Sequence, residues 1–191
     1  MSTQSTQTVS FRILSTSAFI LSMALPLTAL IQPAHSVEFP NGETAFNSPP
    51  VLVNASPSFN QRSVASTYYF TITVPENAGE PLQALRIQQV ENAEVIDFVV
   101  QESRAFHGTQ RALGAAIPLA SVGGEAPAPG EATLVFDQPV APGSTITIAL
   151  HAKRNPTYGG VYLFGVTAFP KGERGRGQFL GVSRLHFYTG S

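Results

Sequence analysis

The side chains able to do chemistry in this sequence are few and scattered. Past residue 36 the histidines are His107, His151 and His186, and no two stand at a metal-ligand spacing such as His-x-His or His-Glu-x-x-His. Cysteine is absent, and both methionines, Met1 and Met23, lie near the amino terminus, so soft sulfur ligands are missing beyond it. No metal and no cofactor is expected. Carboxylates gather as Glu91, Glu94, Asp97 and Glu102. A carboxylate pair could hydrolyse a glycosidic bond, and Asp97 or Glu102 with His107 would be the set to use. No aromatic subsite accompanies these acids in sequence, so a solvated strand end is the plainer reading and no catalytic residue is assigned. The stretch Gly181-Val182-Ser183-Arg184-Leu185 lacks the last glycine of a nucleophile elbow. Gly172 to Gly177 is glycine-rich, but no helix follows it to complete a phosphate loop.

Charge is distributed unevenly. Val37 to Asp137 carries 4 Arg against 11 acids, whereas Gln138 to Ser191 carries 6 Lys or Arg against Glu173 alone. The basic part also holds Tyr158, Tyr162, Phe164, Phe169, Phe179, Phe187 and Tyr188. Lys171, Arg174 and Arg176 fall in one glycine-rich loop. Arg184, His186 and Tyr188 share one face of an alternating stretch. Cations beside exposed aromatics suit an anionic sugar, a phosphorylated head group or an acidic protein patch. These six residues are the candidate ligand-binding set, against the alternative that the aromatics are core and the loop charges only keep the domain soluble. An overall net charge of −1 argues against a nucleic-acid partner.

The elements that must position these residues are strands. The chain has 191 residues, 43% hydrophobic and 12% charged, the latter about half the usual share. Tyr68, Phe70, Ile72 and Val74 alternate with Tyr69, Thr71 and Thr73, the pattern of a half-buried strand. Leu85 to Val90, Glu94 to Val100, Ala132 to Phe136, Thr145 to Leu150, Val161 to Phe169 and Phe179 to Tyr188 read as further strands. Val161 to Phe169 is apolar on both faces, which predicts a mid-sheet strand covered on both sides. Asp137 to Gly143 reads as a turn, with Pro142-Gly143 at the centre of a type II turn. Glu102 to Ala112 could hold one or two helical turns, and Gly123 to Gly130 reads as a loop. The expectation is an all-β chain. It would be a single antiparallel β-sandwich, Ig-like, of seven to eight strands, because each sheet must bury its apolar face. A closed barrel is the alternative.

Residues 1–36 read as an address. Arg12 is the sole charge before Glu38, an apolar stretch follows it, and Ala34-His35-Ser36 offers small residues at the −3 and −1 positions of a signal-peptidase site. The expected organisation is a Sec-type signal peptide over 1–36 and one sandwich domain over 37–191, with an extracytoplasmic location in the periplasm or cell envelope. If the segment stayed uncut, it would tie the chain to a membrane, the one membrane contact expected.

Four stretches carry a resemblance: Pro75 to Leu82, Arg104 to Gly108, Arg154 to Pro170, and Gly177 to Gly181 leading to Arg184-Leu185-His186-Phe187-Tyr188. Together they resemble the cyanobacterial exported family called domain of unknown function 2808. The resemblance implies export and a single domain, and brings no catalytic residues with it. Physically the same stretches specify turns and close approaches: a left-handed residue within Asn77-Ala78-Gly79, a turn begun by Asn155-Pro156, unusual backbone angles at Gly159-Gly160, and a bulge or close approach at Gly165 and Gly181. The expected function is that of a non-catalytic binding or structural module of the envelope. Its partner would be an anionic envelope polymer or another envelope protein. The alternatives are a small accessory subunit of a membrane complex, docked by charge polarity, and a hydrolase of an envelope polymer.

Overall fold

The computed structural model describes residues 37–38, 42–90, 92–120 and 128–188. Residues 1–36, with Ala34 and Ser36 of the expected cleavage site, Glu91, and most of the loop from Gly123 lie outside the described residues. The strands in chain order are β1 (Val37–Glu38), β2 (Thr44–Ala45), β3 (Val51–Pro57), β4 (Ser66–Thr73), β5 (Leu82–Gln89), β6 (Arg104–Thr109), β7 (Ala112–Ile117), β8 (Glu131–Val140), β9 (Thr145–Ala152), β10 (Gly160–Pro170) and β11 (Gln178–Phe187), with one 3₁₀ turn at Val100–Glu102. β1 and β2 pair as a short ribbon. The others form two antiparallel sheets, β11-β10-β5-β8 and β3-β4-β9-β6-β7. The fold is an all-β sandwich. It is not a closed barrel, because each sheet keeps two end strands.

The alternation in the sequence has a direct spatial counterpart. Tyr68, Phe70, Ile72 and Val74 are all fully buried, as are Leu85 and Ile87, Leu134 and Phe136, Ile146, Ile148 and Leu150, and Phe164 and Val166. These rows meet between the sheets. Tyr68 of β4 packs on Phe164 of β10 with ring centroids 5.8 Å apart and on Phe187 of β11 at 5.7 Å. Phe70 meets the same Phe164 edge-on at 6.2 Å. Each large side chain so buried contributes about 1.5–3 kcal/mol of transfer free energy, which is what holds the layers together.

Several local expectations are corrected. Glu94 to Val100 is not a strand. Its backbone joins β9 and the residue after it through Val99 N–H on the His151 carbonyl (2.8 Å), Lys153 N–H on the Asp97 carbonyl (2.9 Å) and an isolated bridge, Phe98 to Ala152. The side chain of Gln89 binds the Glu94 carbonyl and the Ile96 N–H, which folds the segment back on β5 instead of extending it. Arg104 to Thr109 and Ala112 to Ile117 form a hairpin, in place of the helical turns expected over Glu102 to Ala112, and among the described residues only Val100–Glu102 is helical. β7 is almost wholly exposed, so no hydrophobic alternation could announce it; its pairing with β6, itself paired with β9, is a tertiary effect. β8 runs on to Val140, and the turn begins only at Ala141, with Gly143 at φ 80° as a type II turn requires. After β7 the chain crosses to the other sheet: Leu119 bridges to Phe136 and Ala120 N–H reaches the Val135 carbonyl.

β10 lies mid-sheet as expected, but only one of its faces is covered. Tyr162, Phe164, Val166 and Ala168 point into the core, whereas Val161 is 45% exposed and Leu163, Thr167 and Phe169 are half-buried. Among the described residues no layer lies over that second face.

Candidate functional site

The six candidate cations and aromatics fall into two groups, one at each end of β11. Lys171, Arg174 and Arg176 sit on the turn between β10 and β11. That turn is held from beneath by Thr44, whose hydroxyl donates to the Lys171 carbonyl (2.8 Å) and whose carbonyl accepts the Arg176 N–H (2.8 Å), while Lys171 N–H reaches the Pro81 carbonyl (2.9 Å). Arg184 and His186 point outward on β11, opposite Leu163 and Val161 of β10. The His186 ring stacks on Tyr188 at 6.1 Å with the planes 23° apart. At about 3.3 Å per residue the two groups are some ~25–30 Å apart. They do not form one cluster, but they border one surface.

That surface is the outer face of the four-stranded sheet. Phe179 is 64% exposed and Val182 47%. The registers Thr167 to Phe179, Thr167 to Arg86 and Arg86 to Thr133 place these residues in one row across the four strands. The aromatic rings lie down on the sheet because glycines make room for them. A Cβ at Gly165 would stand 3.1 Å from the Phe179 ring, and a Cβ at Gly177 would stand 2.6 Å from the Phe169 ring. The Arg86 guanidinium lies over the Phe169 ring, 5.4 Å from its centroid. Gly181, at φ 128°, lies beside the β-bulge where the register slips between Val166 and Thr167. The bulge turns Phe179 to the same side as Val182.

The opposite sheet treats its outer face differently. Thr71 and Thr147 point away from the core, yet they are 3% and 0% exposed. Their hydroxyls bond each other at 3.0 Å, and Thr147 also donates to the Gly108 carbonyl (2.8 Å). The tip of the β6–β7 hairpin folds across this face, and Ser56 of β3 reaches Gln110 at 2.6 Å. Gly108, at φ 89°, permits that bend; a side chain there would run into the Ala112 carbonyl. One sheet is thus capped and the other is bare.

The chain can now be placed among known proteins. A sequence profile for the family described as protein of unknown function DUF2808 matches residues 43–187. The protein belongs to the DUF2808 family. No curated protein matches it. Among solved structures, the collagen-binding subdomain of the Enterococcus faecalis surface protein ACE aligns with TM-score 0.45 and 6% identity over 73% of this chain and 99% of that one. AvmM, described as catalysing macrocyclization in alchivemycin A biosynthesis, aligns with TM-score 0.35 and 11% identity over 82% of this chain and 97% of that one.

Within this DUF2808 domain, the Asn155-Pro156 turn has a physical role. Asn155 is fully buried: its carbonyl oxygen accepts the Tyr68 hydroxyl (2.8 Å), and its amide donates to the Phe59 and Gln61 carbonyls (2.9 and 2.7 Å). Burial, and secondarily the neighbouring Tyr162, pushes the Tyr68 hydroxyl far above the ordinary tyrosine range. Tyr162 is raised for the same reason, with a further push from Glu94. Glu94 caps the next turn. Its carboxylate accepts Thr157 N–H (2.6 Å) and Tyr158 N–H (3.3 Å) and lies 3.9 Å from Arg154.

The remaining sequence candidates are dispersed. Glu102 pairs with His151 at 3.4 Å, not with His107, which stands on β6. Asp97 borders a small cleft of about 290 Å³ with Glu94, Lys153 and Arg154, but Glu94 is committed to the turn. Among the described residues no three His, Asp or Glu side chains converge as metal ligands would. A larger cleft of about 530 Å³ lies between the 3₁₀ turn and the strand crossover, lined by Val100, Arg104, Ile117 and Leu134. No helix of the described residues is long and apolar enough to cross a membrane. The residues missed in sequence are Arg86 and Gly177, whereas Gly165 was marked as a bulge or close approach and is indeed approached, by the Phe179 ring. The signal available was glycine inside a strand beside exposed phenylalanine, but which ring would cover which glycine depends on register.

Proposed function

We propose that this protein is a non-catalytic binding module of a cyanobacterial cell envelope, exported by cleavage after Ser36, and that it holds its partner on the outer face of the four-stranded sheet. One observation carries the binding assignment. The β6–β7 hairpin covers one outer face, whereas the other presents Phe179, Val182 and Val161 to solvent with cations at both ends. Exposed apolar area of this kind, flanked by charge, marks an interaction surface. The cations bordering it are Arg86 and Arg184 on the strands and Lys171, Arg174 and Arg176 on the turn, against Glu173 on the same turn and Glu131 and Asp137 on β8. An anionic envelope component suits that balance.

Export rests on the sequence alone, on the small residues Ala34 and Ser36 that end the apolar stretch. Mass spectrometry of the protein recovered from its native host tests it; a chain beginning at Val37 supports cleavage, and an intact amino terminus in an intracellular fraction refutes it. Binding is tested by sedimenting the full chain with isolated cell-envelope fragments. Retention that weakens with salt and is lost in Phe179→Ala supports the face, and retention unchanged in that variant overturns it.

A further inference from the structure

The physical character of the bare face narrows its occupant. Phe179 does not project as a knob into solvent. Its ring lies over Gly165 of the adjoining strand, in van der Waals reach of that glycine, and still leaves 64% of the residue open. Phe169 lies in the same manner over Gly177, under the Arg86 guanidinium. A protein partner is ordinarily gripped by anchors that enter pockets. A ring laid on a sheet as Phe179 is offers no pocket, but it does offer a planar apolar surface of the size of a sugar ring, whose C–H face is apolar while its edge is polar. Arg184 stands two outward positions along β11 from Phe179, beyond Val182, and Arg86 stands one strand beyond β10. Neither is in an ion pair among the described residues. Guanidinium groups bind carboxylate or sulfate through paired N–H donors, and stacking on a ring leaves those edge donors open.

We infer that the outer face of the β11-β10-β5-β8 sheet binds an anionic polysaccharide, laid along β10 and β11, with a sugar ring stacked on Phe179 and acidic groups met by Arg184 and Arg86. The inference rests on the reading of this face as the binding surface. From Phe179 to Tyr188 the chain runs ~30 Å, long enough to underlie several sugar rings in a row. Lys171 and Arg176 of the turn extend the same track at one end, and the stacked rings of His186 and Tyr188 extend it at the other.

Affinity electrophoresis of the full chain tests this, with polygalacturonate, dextran sulfate or neutral dextran cast in the gel. Retardation by at least one polyanion and none by dextran is expected. Phe179→Ala should weaken it about tenfold, as loss of one stacking contact does, and Phe179→Tyr should keep it. Arg184→Ala should weaken it several-fold beyond Arg111→Ala, which removes the same charge from the far hairpin. Phe179 is mostly exposed, and unchanged circular dichroism will show that the variants fold. No retardation by either polyanion overturns the proposal, and so does retardation that Phe179→Ala leaves intact, since that is mere charge attraction. If envelope fragments still bind through Phe179 while neither polyanion does, the polysaccharide is refuted and the face survives; if both fail, both readings fall.

Discussion

Replacing Asn155 with alanine should remove more stability than any surface contact in the molecule. Its side chain is fully buried and makes three hydrogen bonds, which join β4 to the connection from β3 and to the turn after β9. Truncation leaves the Tyr68 hydroxyl buried with no acceptor, at about 1–3 kcal/mol. It also deletes two amide bonds, each worth about 1 kcal/mol net. Phe59 keeps a second donor, the Ser66 hydroxyl at 3.1 Å, so its carbonyl is not orphaned. The sum is about 3–5 kcal/mol, or a fall in Tm of about 10–15 °C for a chain of this size. Urea unfolding of the full chain, followed by tyrosine fluorescence, measures it. The double variant Tyr68→Phe with Asn155→Ala removes the orphaned hydroxyl along with its partner. It should therefore be about 1–2 kcal/mol more stable than the two single losses added together. A loss below about 1 kcal/mol for Asn155→Ala, or strict additivity, would refute the account of Asn155 as the fastener of this end of the sandwich.

Other consequences can be measured in the same way. Because burial raises Tyr68 and Tyr162 above the unfolded tyrosine value, their contribution is complete below about pH 10 and is lost as pH rises past it, since there the unfolded chain releases protons that the folded one retains. Stability should fall with a slope approaching about 1.4 kcal/mol per pH unit from Tyr68 alone, and a urea midpoint that stays flat from pH 9 to 11 would contradict this. Gly108→Ala should cost about 2 kcal/mol or more, as it forces a side chain into a left-handed position against the Ala112 carbonyl; hydrogen exchange should then show the β6–β7 hairpin lifting off Thr71 and Thr147. Glu102→Gln, which removes a mostly exposed carboxylate facing the His151 ring, should change stability by no more than about 1 kcal/mol, read from the same urea curves.

The sandwich was legible in the sequence wherever burial alternates. Tyr68 to Val74, Ala132 to Phe136 and Ile146 to Leu150 each send every second residue inward, and that period determines both strand and buried face without reference to any neighbour. It failed at Glu94 to Val100, where Ile96 is buried and Val95 exposed as in a strand, because Gln89 satisfies the backbone that a ladder would have used. It was silent at β7, an edge strand with nothing to bury until Ile117. The polar side chains of the candidate surface were also readable, since Arg184 and His186 fall on one side of an alternating strand.

Residue order alone therefore determined the fold class, the buried rows and the basic character of the carboxyl-terminal part, because period-2 burial and charge are properties of single strands. Tertiary structure decided that Arg86 lies over Phe169, that Phe179 lies over Gly165, and that one sheet face is capped by a hairpin while the other stays bare. Those outcomes depend on strand order and register between segments distant in the chain, and a periodic pattern within each strand is compatible with many such pairings.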